Sequence, residues 1–157
     1  MNESILPLFD FPLEEAPKPT VAADYPEAAT TADLFLEYHK RNPQVYRTLR
    51  ALALDLLRRG ITRYGVKGLF EVMRWEYARR TGEDEPLKLN NLFPSYYARM
   101  LVANDRRFED FFTFRRMAAD FDPPGICYQC GIIVTLGAPE VSTICWDCEM
   151  EDYHAKR

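Results

Sequence analysis

Residues 125–150 read GICYQCGIIVTLGAPEVSTICWDCEM and contain all four cysteines of the 157-residue chain. The cysteines form two Cys-x2-Cys pairs, Cys127 with Cys130 and Cys145 with Cys148, separated by fourteen residues. A two-residue spacer lets both sulfurs of a pair reach one metal ion, and Zn²⁺ favours four tetrahedral ligands. The spacing therefore predicts a Zn²⁺ site. Four thiolates leave no open coordination position, so we expect a structural and not a catalytic role.

The fourteen residues between the pairs predict a β-hairpin. They contain two runs of β-forming residues, 132–136 and 141–144, around Gly137-Ala138-Pro139. This segment, with CYQCG at its start, resembles the zinc-ribbon family. The resemblance implies that each cysteine pair lies in a knuckle and that the hairpin connects the two knuckles.

Other uses of four cysteines fit less well. Two disulfides would require an oxidising compartment, and nothing marks the chain as secreted. Thioredoxin-like chemistry places one pair beside a βαβ unit, and none precedes either pair. An iron–sulfur cluster also takes four cysteines, but the hairpin spacing suits zinc better.

The middle of the chain predicts a small, mainly α-helical domain. Apolar periodicity and Pro/Gly stop signals give the helix bounds, with Thr31 as the first N-cap and Pro43 in the first turn of the second helix. The predicted helices are 32–41, 43–59, 66–80, 94–103 and 106–119. The second and third of these carry apolar stripes, formed by Val45, Leu49, Leu52 and Leu56 and by Val66, Leu69, Phe70, Met73 and Tyr77. Residues 61–65 read as a β-leaning connector, and 87–89 as a short strand. The full organisation is an acidic Pro-rich disordered tail (1–30), a basic helical domain (31–120), a linker (121–125), a zinc ribbon (126–149) and a polar tail (150–157).

The order of helix, connector, helix, short strand and helix resembles helix-turn-helix and winged-helix modules. The resemblance implies that the helix 94–103 enters a DNA groove, with Arg99 near its start. Trp75 falls about 180° from Val66 around its helix, away from the apolar stripe. We expect the helix 32–41 or the N-terminal apolar residues to cover Trp75, because tryptophan is usually buried. An exposed interaction anchor is the alternative.

Three runs in this domain carry a second resemblance. FLEYHKRNPQVYRTLRALA, LFEVMRWEYARRTG and LKLNNLFPSYYARML resemble a family of small bacteriophage and prophage proteins, over about residues 34–117. The resemblance implies a phage origin and a compact helical domain, and it implies no catalytic residues.

The net charge of −4 hides a basic middle. Residues 34–120 carry 17 basic and 11 acidic side chains, net +6, between acidic ends of net −6 and −4. Either this region binds an anionic partner or the acidic ends screen it. If it binds nucleic acid, the phosphate contacts are expected from cations off the apolar stripes. These are Arg47, Arg58, Lys67, Arg74 and Arg99.

The acidic tail contains one apolar cluster, residues 5–11. Its Leu6, Leu8 and Phe9 resemble the short peptides that bind the groove of the bacterial sliding clamp, although Ile5 stands where that pattern prefers glutamine. Such a cluster either binds a partner groove or packs back on its own domain.

Enzymatic signals are weak in this sequence. His39 and His154 have no partner at a readable spacing and are expected to be solvated, and no phosphate-binding glycine motif or nucleophile elbow occurs. No apolar run approaches the length of a membrane span, about 20 residues. We therefore expect a soluble, cytoplasmic binding protein in a host cell, with no membrane or small-molecule partner.

Two functions fit this pattern. The first is a phage-encoded zinc-binding adaptor that acts on nucleic acid or on the transcription and replication machinery. The alternative is a host-takeover or anti-defence protein that inhibits a host protein by direct contact. The acidic ends and the apolar N-terminal cluster favour the alternative.

Overall fold

A computed structural model describes residues 30–81, 91–114, 121–135 and 144–155. Within these residues the chain is mainly helical, with a two-stranded antiparallel sheet near the C-terminus. No helix in the described ranges is long and apolar enough to cross a membrane. The elements are α1 (Thr31–Arg41), α2 (Pro43–Arg58), α3 (Val66–Thr81), α4 (Pro94–Asn104), a 3-10 turn (Arg106–Phe108), β1 (Gly125–Ile126), β2 (Ile133–Thr135) and α5 (Trp146–Ala155).

The first two helices begin with local signals. Thr30 and Asp33 form a capping box, in which the Thr30 hydroxyl accepts the Asp33 N–H (3.2 Å) and the Asp33 carboxylate accepts the Thr30 N–H (2.9 Å). The N-cap therefore lies one residue before the predicted Thr31. Pro43 occupies the start of α2 as predicted. The residue before it, Asn42, does not cap α2 with its side chain. That side chain donates to the Tyr38 carbonyl (3.0 Å) and so holds the end of α1 against the start of α2.

Helices α1 to α4 enclose one aromatic-rich core. The predicted stripes are confirmed, because Leu49 on α2 and Leu69, Phe70 and Met73 on α3 are buried. Phe35 on α1 lies at the centre, and its ring contacts four others, those of Phe93, Tyr96, Tyr97 and Phe121. Burying each large apolar side chain contributes about 1.5–3 kcal/mol to folding.

Trp75 does not join this core. Its side chain is 53% exposed, and the Arg79 guanidinium lies 5.6 Å from the ring centre. The prediction that α1 covers Trp75 is therefore wrong, and the N-terminal apolar residues lie outside the described ranges.

The chain after α4 does not form the predicted helix over residues 106–114. Asp105 accepts the Arg107 N–H (3.1 Å) and caps a single 3-10 turn, after which the chain bends through residues 109–112. The bend buries Phe108, Phe111 and Phe112 against one another. Burial of three large rings outweighs the local helical preference. Residues 115–120 lie outside the described ranges.

Two short segments, residues 61–65 and 87–89, bear on the predicted helix-turn-helix type. Residues 61–65 form no strand, and the predicted strand at 87–89 lies outside the described residues. The helix-turn-helix or winged-helix type therefore stays a prediction.

The predicted linker 121–125 packs against the helical part. The Asn104 side chain donates to the Pro124 carbonyl (2.9 Å) and accepts the Ile126 N–H (2.7 Å). Ile126 is 1% exposed and belongs to the same core as α1 to α4. The C-terminal segment is thus attached through buried contacts, and independent folding of residues 31–120 stays a prediction.

Candidate metal centre

The first cysteine pair lies in a tight turn between β1 and β2. The Gly131 N–H donates to the Cys127 carbonyl and the Cys127 N–H donates to the Ile132 carbonyl, both at 2.9 Å. Gly131 has φ +80°, a left-handed conformation that favours glycine. Beyond the turn, Ile126 pairs with Ile133 in the sheet. We call residues 127–132 the knuckle.

The predicted hairpin between the two cysteine pairs is described only in part. The run 132–136 does supply β2, but its partner is β1, which precedes the knuckle. Ile144 lies in no strand, and residues 136–143 lie outside the described ranges. Within the described residues the sheet therefore encloses the first cysteine pair instead of connecting the two pairs.

The second pair lies at the N-terminal end of α5 and not in a second knuckle. Cys145 precedes the helix, Cys148 is in its first turn, and the Glu149 N–H donates to the Cys145 carbonyl (3.0 Å). Residues 150–155, which the sequence analysis assigned to a polar tail, continue α5 and include His154. Asp147 and Glu149 stabilise this helix start, because acidic groups interact favourably with a helix N-terminus.

The four predicted cysteines come together. Their Sγ atoms all lie within 4.8 Å of one another, and the Cys130 and Cys145 sulfurs are 3.6 Å apart. A tetrahedral site with metal–sulfur bonds of about 2.3 Å requires sulfur–sulfur distances of about 3.8 Å. All four thiols are free, so none forms a disulfide. The cluster could therefore hold a metal ion.

Three of the four thiols have shifted pKa values. The pKa of Cys127 falls to about 7, because the backbone N–H groups of Cys130, Cys145 and Gln129 outweigh the opposing effect of burial. Burial raises the pKa of Cys130 and of Cys148. The Cys127 thiol therefore loses its proton more readily than an ordinary cysteine, whereas the Cys130 and Cys148 thiols lose theirs less readily. A bound divalent cation favours the thiolate form of all its ligands, because it neutralises their negative charge.

The knuckle packs against the corner between α1 and α2. A Cβ added to Gly131 would lie 2.5 Å from the Pro43 carbonyl oxygen and 3.1 Å from Arg47 Cγ. Only a glycine allows this approach. The metal module (residues 121–135 and 144–155) is thereby fixed to the helical part by the Gly131 contact, by the Asn104 bonds and by the ring of Phe121, which contacts those of Phe35 and Tyr96.

His39 lies in this corner and is fully buried, so the prediction of a solvated histidine is wrong. Its ring lies among those of Phe35, Tyr46 and Tyr97, and neither ring nitrogen forms a hydrogen bond within the described residues. Burial lowers the pKa of His39 to about 4, and the neighbouring Gly131 backbone offsets this only in part. The four-residue spacing from Phe35 is the sequence signal that places both side chains on one face.

The five predicted phosphate contacts differ in exposure. Arg58 and Lys67 are exposed, whereas the other three are half-buried. Arg47 lies beside Gly131, and Arg74 forms an ion pair with Glu71 and donates to the Asn91 side chain. Arg99 donates to the Ser95 carbonyl, and its guanidinium lies over the Phe114 ring.

Arg58 and Lys67 belong to a longer exposed basic segment, residues 58–67, which we call the basic connector. It also contains Arg59 and Arg63, which are exposed and which the sequence analysis missed. The chain has no acidic residue from 56 to 70, and this local charge pattern could have identified both. The predicted Leu6, Leu8 and Phe9 lie outside the described residues.

Comparison with protein-family models, with curated proteins and with solved structures gave no match. The resemblances to phage proteins and to zinc ribbons therefore stay predictions.

Proposed function

We propose that this protein is a phage-encoded zinc-binding adaptor that contacts nucleic acid through its basic connector. Two parts of the molecule support the proposal, the four-sulfur cluster for the metal and the connector for the nucleic acid. The observation that carries the nucleic-acid part is the exposure of four cations in a stretch without a carboxylate.

Zinc is the metal that suits the four sulfurs best. Thiolates are soft ligands that Zn²⁺ accepts in a closed tetrahedral site. The ion would join the knuckle to the start of α5, two pieces too small to bury a core of their own. Its role is structural, since no coordination position is left for a substrate.

Metal analysis tests this part directly. Purified protein should contain one zinc per chain, and Cys127→Ser or Cys148→Ser should lose it. Protein that contains neither metal nor free thiols would instead point to disulfides and would refute the zinc site.

The basic connector is also held in a defined shape. The Tyr64 N–H donates to the Phe111 carbonyl (2.9 Å), and the Tyr64 ring lies against Gly68. The segment leads into the N-terminus of α3, whose first turn contains no acidic residue. Helix N-termini favour phosphate, and a preformed cationic segment loses little entropy when it binds. Of its four cations, Arg59 also pairs with Asp55 (2.7 Å).

Salt dependence of binding to short duplex and single-stranded DNA and RNA tests the nucleic-acid part. Each phosphate contact on duplex DNA contributes about 0.9 to the slope of log affinity against log salt. Arg63→Ala with Lys67→Ala should therefore weaken binding and reduce the slope by about 1.8.

Lys40→Ala with Arg106→Ala is the matched control, because it removes the same charge from exposed positions on other elements. If both double variants lose affinity equally, general charge and not the connector explains binding. If the wild-type chain shows no salt-sensitive binding at low ionic strength, the nucleic-acid proposal fails and the inhibitor of a host protein becomes the leading function.

A further inference from the structure

Helix α5 has an inner face that contributes two cysteines to the cluster and an outer face on which Trp146 and Glu149 are exposed and Met150 is half-buried. Trp146 is 71% exposed, whereas Cys148, two residues later, is 6% exposed. At about 100° per residue the two side chains point about 160° apart around the helix. Glu149 and Met150, three and four residues after Trp146, share its side. We call Trp146, Glu149 and Met150 the outer face of α5.

The inner face of α5 attaches the helix to the knuckle and to β2, and Trp146 does not belong to this packing. Cys145 and Cys148 pack with Cys127, Cys130 and Val134 in a small cluster of their own. Tryptophan is usually mostly buried, and its exposure on a helix fixed by a metal site is therefore unusual. Exposed tryptophans of this kind are enriched among the residues that dominate protein–protein binding energy.

Charge restricts what the outer face can bind. Asp147, Glu149 and Glu151 are all exposed, and residues 144–155 contain no lysine or arginine. Two of these acids lie in the first turn, where they also stabilise the helix, but Glu151 lies beyond it. Repulsion between carboxylates and phosphates disfavours nucleic acid here, whereas a cationic partner is electrostatically complementary.

We propose that the outer face of α5 is a docking site for a positively charged protein segment with an apolar side chain that packs on Trp146. The site lies on a different element from the basic connector, far along the chain from it, and carries the opposite charge. It goes beyond the proposed nucleic-acid contact and does not depend on it. Together the two surfaces would give the adaptor one arm for each class of partner.

Trp146 itself provides the measurement. The chain has two tryptophans, so Trp75→Phe leaves Trp146 as the single reporter of fluorescence. The probe is a helical peptide of lysine, leucine and alanine, and its controls are a leucine-free peptide of equal charge and a peptide with glutamate in place of lysine. With the full-length, zinc-loaded chain, we expect the lysine–leucine peptide to shift Trp146 emission and to protect it from acrylamide. The two control peptides should not.

Variants then separate the two contributions to affinity. Trp146→Ala should weaken binding of the labelled peptide about tenfold or more, as measured by anisotropy, while zinc content and helical signal stay unchanged. Trp75→Ala is the matched control, because it removes the other exposed tryptophan, and it should leave affinity unchanged. Glu149→Gln with Glu151→Gln should weaken binding and flatten its salt dependence.

Several outcomes would overturn the proposal. Equal binding of the leucine-free peptide, or no loss with Trp146→Ala, would show nonspecific charge attraction. Protection of Trp146 by single-stranded DNA would assign the face to nucleic acid. Protection that rises with protein concentration in the absence of peptide would assign it to a second copy of this chain. None of these results bears on the connector variants, so the two proposals fail independently.

Discussion

Two glycines with the same backbone conformation allow the contact between the knuckle and the helical part to be measured. Gly131 and Gly60 have φ of +80° and +85°. A Cβ at Gly60 meets nothing within 4 Å, whereas a Cβ at Gly131 lies 2.5 Å from the Pro43 carbonyl oxygen. Gly60→Ala therefore introduces backbone strain alone, and Gly131→Ala introduces the same strain with a clash.

The expected magnitudes follow from this difference. A left-handed conformation costs a residue with a Cβ about 1–2 kcal/mol. Relieving the clash requires the knuckle to move about 1 Å from a backbone atom that cannot rotate away, and overpacking of this kind costs about 1–3 kcal/mol. We expect a loss of about 1–2 kcal/mol for Gly60→Ala and about 2–5 kcal/mol for Gly131→Ala.

Urea unfolding of the zinc-loaded proteins, followed by far-UV circular dichroism, gives both free energies of unfolding. In a chain of this size each 1 kcal/mol also lowers Tm by about 2–4 °C. Arg47→Ala should not rescue Gly131→Ala, because the Arg47 side chain can move while the Pro43 backbone cannot. If Gly131→Ala loses no more stability than Gly60→Ala, the knuckle does not pack on the α1–α2 corner in solution and the reasoning is refuted.

Three further predictions address the same attachment. Asn104→Ala should lower the free energy of unfolding by about 2–4 kcal/mol, because it leaves the buried Pro124 carbonyl and the Ile126 N–H unpaired. A loss below about 1 kcal/mol, the strength of one ordinary hydrogen bond, would contradict this prediction. His39 has a lowered pKa of about 4 against an ordinary 6.5, so the stability it contributes is complete above pH 6.5 and is lost as the pH falls towards 4. Wild type should therefore lose about 3 kcal/mol more than His39→Phe between these pH values, and parallel pH profiles of the two proteins would argue against it. Chelation of zinc should lower the Tm of the helical signal, because Ile126 and Gly131 pack on helices α1 to α4; an unchanged helical transition would support separate domains.

The helices could be predicted closely because their signals are local. Pro43 and Gly60 mark the two ends of α2, and the apolar period of α3 identified Leu69 and Met73 as core residues. Each of these signals acts through neighbours a few positions away along the chain. The prediction of a helix failed over residues 106–114, where three phenylalanines reach the core through a bend that no local pattern encodes.

The sequence by itself determined that the two thiols of each pair can reach one metal ion, because of the two-residue spacer, and it predicted that both pairs share that ion. It could not show which elements hold them. The partner of β2 is set by Asn104, twenty-two residues before the N–H of Ile126 that it accepts, and the knuckle position is set by the backbone of Pro43. The burial of His39 and the exposure of Trp146 have the same origin. Both depend on which surfaces the metal module covers, and that is decided only when distant segments pack together.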